Sequence, residues 1–147
     1  MTTLNLPTYT PIMSPMGDAI FDPIRNKNFV LTPEEWVRQH VLNYLVHHLG
    51  YPAGRIAVER ELKYNQLKRR FDILIYDAQL KPYLIVECKA HDIAITQQTF
   101  NQIAMYNKVV QAKVLVVTNG ITHYCSIFNP IKKNYEFTNE IPAYTIY

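Results

Sequence analysis

The clearest rhythm in the chain is the helical spacing of apolar residues in "LTPEEWVRQHVLNYLVHHLG", where Val37, Val41, Tyr44 and Leu45 recur on one stripe. Thr32 is placed to cap this helix, Pro33 takes its first position and Gly50 closes it. The pattern then changes. "RIAVERELKYN" predicts a strand over Ile56–Tyr64, "FDILIYD" with its preceding arginine one over Arg70–Asp77, and "PYLIVECKA" a third. A second helical pattern covers "TQQTFNQIAMYNKVVQA". "KVLVVTNG" is an apolar strand of the buried type, and "ITHYCSIF" can pair with it after the Asn119-Gly120 turn. The order helix, three strands, helix, then one or two strands predicts an α/β fold with a mixed central sheet flanked by helices.

Before residue 31 the chain is rich in proline and turn formers, and "AIFDPIRNKNFVL" reads as an extended arm or hairpin laid on the domain. No linker or repeat divides the 147 residues, so one domain is expected. Its parts would be an arm over 1–30, a core over 31–128 and a C-terminal tail over 129–147. Apolar residues make up 48% of the chain, which excludes a disordered protein, and no apolar run is long enough to span a membrane. The opening residues lack the basic and apolar regions of a secretion signal, so a cytoplasmic location is expected. Cys88 and Cys125 lie in strand-like runs without metal-ligand spacing and read as reduced packing residues. A net charge of +3 permits a polyanionic partner without arguing for one.

Against this background "LIVECKAH" stands out, because Glu87 and Lys89 interrupt an apolar strand. Strict alternation puts Phe71, Ile73 and Ile75 on one side of the second strand and Asp72, Leu74 and Tyr76 on the other. In the third strand Tyr83, Ile85, Glu87 and Lys89 share a face. A tight turn joins the two strands, and antiparallel neighbours lie about 5 Å apart, so Asp72 and Glu87 reach a common point if they share a face. Two carboxylates beside an ammonium group suit a hard divalent cation such as Mg²⁺, with the Cys88 carbonyl as a third ligand and waters completing the shell. Lys89 would then orient or deprotonate a water, or offset charge on a phosphate. The plain alternative is an ion pair between Lys89 and a carboxylate at a strand edge.

Gln102 and Tyr106 project from one side of the second helix, near Ile103 and Val110, and so would face the sheet. They can contact phosphate or support metal ligands, or form an ordinary polar pair. In the first helix Glu35 fits the capping-box position. Glu34 lies on the stripe with Val37, Arg38, Val41, Tyr44, Leu45 and His48, and its acid is the one expected to reach the metal cluster. Arg38, one turn on, would pair with Glu34 or contact phosphate.

Together, "DPIRNKNFVLTPEEWVRQHVLNYL", "VERELKYNQLKRRFDILIYD", "LIVECKA" and "FNQIAMYN…VTNG" resemble small bacterial proteins related to the N-terminal nuclease domain of type I restriction enzyme R subunits, within the PD-(D/E)xK nuclease superfamily. The resemblance runs from about Phe21 to Phe128. It implies a restriction endonuclease-like αβββαβ core and phosphodiester hydrolysis in DNA with Mg²⁺ or Mn²⁺. The family's two metal acids and lysine fall on Asp72, Glu87 and Lys89, its helix acid on Glu34, and its Gln-x-x-x-Tyr element on Gln102 and Tyr106. Phe71 stands where the superfamily name has a proline. No Gly-x-x-x-x-Gly-Lys occurs, so a motor or specificity function would come from another chain.

On that reading Gln102 helps orient Lys89 or the DNA backbone, and Lys68, Arg69 and Arg70 hold flanking phosphates unless they are only a solvated turn. His91 follows the motif closely enough to touch DNA, though a loop histidine often does nothing. His47 and His48 lack the spacing of a zinc site. A homodimer would supply the two sites that double-strand cutting needs. The competing reading is a non-catalytic DNA-binding or protein-interaction module of a restriction or defence system.

Overall fold

The computed structural model describes residues 2–145. A hairpin of β1 (Ala19–Asp22) and β2 (Lys27–Val30) precedes α1 (Pro33–Asn43), which runs on into a π-helical turn over Tyr44–His48. Three strands follow: β3 (Ile56–Tyr64), β4 (Leu67–Tyr76) and β5 (Pro82–Cys88). Then come α2 (Gln97–Val110), β6 (Val114–Thr118), β7 (His123–Asn129) and β8 (Asn134–Thr138). The last six strands form one sheet in the order β3-β4-β5-β6-β7-β8. Every neighbouring pair is antiparallel except β5 and β6, which run parallel because α2 carries the chain from one to the other.

Each face of the sheet buries one helix. Val37 and Val41 of α1 and Leu45 of the π-helical turn pack on Ile73, Ile75, Leu84, Val86, Val114 and Val116. Phe100, Ile103 and Val110 of α2 pack on Leu74, Ile85, Leu115 and Val117. A fully buried side chain of this kind stabilises by about 1.5–3 kcal/mol. The central strands are therefore apolar on both faces, and a charge within them stands out.

Local signals start and stop the helices. Thr32 Oγ1 accepts the Glu35 N–H at 3.0 Å with Pro33 behind it. At α2, Thr96 and Thr99 cap each other reciprocally, and the helix ends where Gln111 turns left-handed at φ 61°. Asn107 fixes the exit, accepting the Ala112 N–H at 2.8 Å and donating to the Ala112 carbonyl at 3.1 Å. At the β6–β7 turn Gly120 has φ +84°, and a side chain there would meet Leu4 at 2.9 Å.

Three expectations need correction. The expected tail over 129–147 is, in its described part to residue 145, more than a tail: β8 extends the sheet, Ile141 is buried, and the Tyr144 N–H donates to the Leu49 carbonyl at 2.8 Å. Simple alternation fails in β4. Phe71 joins the α2-side core, whereas Ile73 and Ile75 join the α1-side core. The ladder pairs Val58 with Ile73 and Arg60 with Phe71, but skips the residues between, where Glu59 has φ 52°. This kink lets the strand change faces at Asp72. Tyr83 likewise packs on the α1-side core, next to the register shift at Ile75/Tyr76.

Candidate active site

Asp72 sits in β4 opposite the β3 kink at Glu59, with both carboxylate oxygens engaged. Oδ2 accepts the backbone N–H of Cys88 at 2.7 Å, and Oδ1 accepts from Arg38 Nη2 at 2.9 Å. The first bond ties the acid to the end of β5. The β4–β5 register, Ile73 against Val86, carried on by one residue sets Asp72 against Glu87.

Glu87 is mostly buried, with its side chain 15% exposed, and Arg69 approaches Oε2 at 3.4 Å. Burial first, then the Asp72 charge, push its carboxyl up to about 7, while Arg69 and Lys89 pull it back. Oε2 and Arg69 Nε are both buried without a hydrogen bond. The Arg69 guanidinium lies 4.3 Å from the centre of the Tyr106 ring, so α2 holds it over Glu87 from the side. Lys89 is half-buried and makes no ion pair among the described residues. Its charge is felt by both Glu34 and Glu87. The plain Glu87–Lys89 strand-edge pair is thus not what the fold builds.

Arg38 lies inside the protein, its side chain 4% exposed, and contacts carboxylates from three elements. Nη2 is 2.9 Å from Asp72, 3.0 Å from Glu34 and 3.2 Å from Glu59, and Nη1 is 2.8 Å from Glu35. Burial pulls the guanidinium down, and Asp72 and Glu35 more than reverse this, so it is raised and stays charged. The expected phosphate contact by Arg38 is therefore replaced by an internal role.

Glu34 is raised by burial and then by Asp72. Glu35 gives its N–H to the Thr32 cap, but its carboxylate points inward to Arg38, Arg25 and Gln39. Arg25 in turn binds the fully buried Asp22 at 2.7 Å. The β1–β2 hairpin is thereby wired to the site through Asp22, Arg25, Glu35, Arg38 and Asp72.

The other expected residues divide. Lys68 and Arg70 have side chains 63% exposed, whereas Arg69 between them turns inward, as alternation along a strand requires. The buried stripe of α2 is Phe100, Ile103, Asn107 and Val110, so Gln102 is exposed and only the long Tyr106 ring reaches round to the site. His91 bonds to Thr2 Oγ1 at 3.0 Å. His47 and His48 are not gathered into a metal-ligand group; among the described residues no three His, Cys, Asp or Glu side chains form one. Cys88 and Cys125 are free and buried.

Asp22, Arg25 and Glu59 were not legible as site residues. "VERELK" reads as the charged face of a strand, and nothing local signals the kink that brings Glu59 to Arg38.

The residues present fit a hard divalent ion. Asp72 and Glu87 supply two carboxylates, and Glu87 Oε2 is a buried acceptor that meets Arg69 Nη2 at 3.4 Å without a hydrogen bond. Six carboxylates (Asp22, Glu34, Glu35, Glu59, Asp72 and Glu87) meet the guanidiniums of Arg25, Arg38 and Arg69, with Arg70 grazing Glu59 at 3.9 Å and the Lys89 charge nearby, which leaves one acid more than cations. Such an excess of negative charge favours a cation.

An α/β sheet domain with an acid within one strand, a second near the end of its neighbour and a half-buried lysine beside them is the class this geometry defines. The model of the type I restriction enzyme R protein N terminus matches residues 33–142, and the chain belongs to that family. A solved fragment assigned to an HsdR subunit of a type I restriction enzyme from Vibrio vulnificus YJ016 shares the fold, with a TM-score of 0.53 at 19% identity over 77% of this chain. The matched region is 24% of that chain, so the present sequence spans about a quarter of it. No curated protein matches. Among the described residues no helix is long and apolar enough to cross a membrane.

Proposed function

We propose that this chain is a metal-dependent DNA endonuclease of the restriction endonuclease-like class, hydrolysing phosphodiester bonds with Mg²⁺ or Mn²⁺. The observation that carries the reading is the junction of β4 and β5. There Asp72 is bonded to the Cys88 N–H at 2.7 Å, and Glu87 follows on the adjoining strand.

Asp72, Glu87 and the Cys88 carbonyl would hold the ion, with Glu34 acting through water. When bound, it supplies Lewis acidity and a more acidic water. Lys89, which no carboxylate claims, orients the attacking water and offsets the charge that grows on the phosphate oxygens. Lys68 and Arg70, exposed on β4, hold flanking phosphates of the DNA backbone. Tyr106 contributes by fixing Arg69 over Glu87, and Gln102 is left to meet the DNA from outside.

A motor or specificity subunit as partner and a homodimer that provides paired cuts belong to the same proposal. One observation favours a second reading, a DNA-binding or protein-interaction module: both Asp72 oxygens already accept from protein donors.

The deciding experiment incubates the purified protein with supercoiled and linear DNA in Mg²⁺ or Mn²⁺ against chelator. Cleavage that requires metal and disappears in Asp72→Ala supports the nuclease. DNA retention without cleavage under either metal supports the module.

A further inference from the structure

The position of Arg38 is not that of a surface arginine. Its Nη2 atom has three carboxylate oxygens, one each from α1, β3 and β4, between 2.9 and 3.2 Å away. That arrangement is the one a small cation takes up among acids. One of the three acids, Glu59, is delivered by a backbone held at φ 52°, a conformation that costs free energy in a non-glycine residue and persists only where the surroundings enforce it. The side chain is 4% exposed, so neither solvent nor a surface phosphate competes for it. Arg38 Nε is buried and makes no hydrogen bond, so the guanidinium is seated by its two terminal nitrogens alone.

We infer that Arg38 is a resident cation: it fills the α1 side of Asp72, where a second metal ion would otherwise sit, and so makes this a one-ion site. The inference rests on the metal-dependent reading above and adds the number of ions and the residue that sets it. Asp72 Oδ1 is taken by Arg38, and Glu34 and Glu59 are held on the same nitrogen. The acceptors left for an external ion lie on the β5 side: the second lone pair of Asp72 Oδ2, which also accepts the Cys88 N–H, and the Glu87 carboxyl beside Arg69. Arg38 is then a positioning residue. It fixes the orientation of Asp72 and screens the acids of α1 and β3, and it does not itself touch the reacting phosphate.

An ammonium group is a point charge, so lysine at this position could sit between Glu34, Glu59 and Asp72 but could not also span to Glu35. Glutamine would take the guanidinium from Glu34 and Asp72 and leave Glu59 only Arg25 at 3.8 Å and Arg70 at 3.9 Å, and a divalent ion is the natural replacement.

The test is Mn²⁺ binding to the full chain, followed by calorimetry and by the electron paramagnetic resonance signal of the free ion. Wild type is expected to bind one Mn²⁺ per chain and Arg38→Gln two. Arg38→Lys should melt lower than wild type yet return to one ion, a rescue that a purely structural arginine does not predict. Glu59→Gln covers the case in which Arg38→Gln does not fold. Because Glu59 serves Arg38 and not the metal, its amide should leave Mn²⁺ affinity within a factor of a few of wild type. Two ions in wild type, one ion in a folded Arg38→Gln, or loss of Mn²⁺ binding in Glu59→Gln would each overturn the inference while leaving the metal-dependent reading intact. No ion bound to wild type at millimolar Mn²⁺ overturns both.

Discussion

The backbone N–H of Cys88 donates to Asp72 Oδ2 at 2.7 Å, so the acid of one strand is anchored by the main chain of the next. An amide bond to an ionised carboxylate is worth more than a neutral one, about 1.5–3 kcal/mol. Because its donor is main chain, this contact does not depend on the rotamer of any neighbouring side chain, which makes Asp72 the fixed point of the site and Glu87 its adjustable neighbour.

The first prediction concerns metal. Mn²⁺ or Mg²⁺ should raise the melting temperature of wild type by mass action. Asp72→Ala and Glu87→Ala should each abolish the rise. A double variant that still responds like wild type would show that the ion binds elsewhere.

Lys89 separates chemistry from scaffold. It makes no ion pair among the described residues, so Lys89→Ala should fold and bind Mn²⁺ as wild type does. Cleavage should fall by about 10²-fold or more, the scale for losing a positioned charge-stabilising or acid–base group. Cutting at the wild-type rate would assign the lysine no catalytic part.

Neutralising the two acids should have opposite effects in chelator. Asp72→Asn removes a charge from Arg38 and opposes an amide to the Cys88 N–H, and a cost of about 1–3 kcal/mol is expected. Glu87→Gln removes a carboxyl whose ionisation the fold resists, and should melt no lower than wild type at neutral pH and higher above it. Thermal unfolding of the three proteins in chelator decides. If both variants drop alike, Glu87 is an ordinary structural partner of Arg69.

The pH dependence follows from the same group. The Glu87 carboxyl lies at about 7 in the folded protein, above its ordinary value of 4.5. Between these limits the folded state binds more protons than the unfolded one, so this group makes stability fall as pH rises from about 4.5 to about 7. The full contribution is of order 3 kcal/mol. Wild type in chelator should therefore lose stability across that window relative to Glu87→Gln, and Mn²⁺ should reverse the loss. Parallel stability curves for the two proteins would contradict the raised value.

Arg69 is the nearest counter-charge to Glu87, and Tyr106 is what holds it there. Arg69→Met should move the Glu87 titration upward, followed by carbon NMR of the glutamate carboxyls. Tyr106→Leu should move it in the same direction by less. A Glu87 titration that stays in place in Arg69→Met would show that the ion pair is not formed in solution.

The sequence by itself determined the element order from α1 to β7, because each of these elements carries its own local signal, whereas the residues of β8 read as part of a tail. Thr32 and Pro33 start α1, Thr96 starts α2, and the apolar runs of β4, β5 and β6 are too short and too branched to be helices. It also singled out Asp72, Glu87 and Lys89, since charges are conspicuous in strands that are apolar on both faces. What it left undetermined was where the charged side chains of the flanking elements go. Arg38 and Glu35 sit on a helix whose spacing says only that one side is buried, and whether a buried arginine meets phosphate or protein depends on the strands it faces. Glu59 reaches Arg38 only because β3 kinks opposite Asp72, and Arg25 reaches Glu35 only because the β1–β2 hairpin folds back on α1. Lys68, Arg69 and Arg70 look alike in the chain, yet alternation and the Tyr106 ring turn one inward and leave two outside. Local propensity acts over a few residues, whereas the pairing of buried charges is settled between segments far apart in the chain, and only the packed tertiary structure brings those segments together.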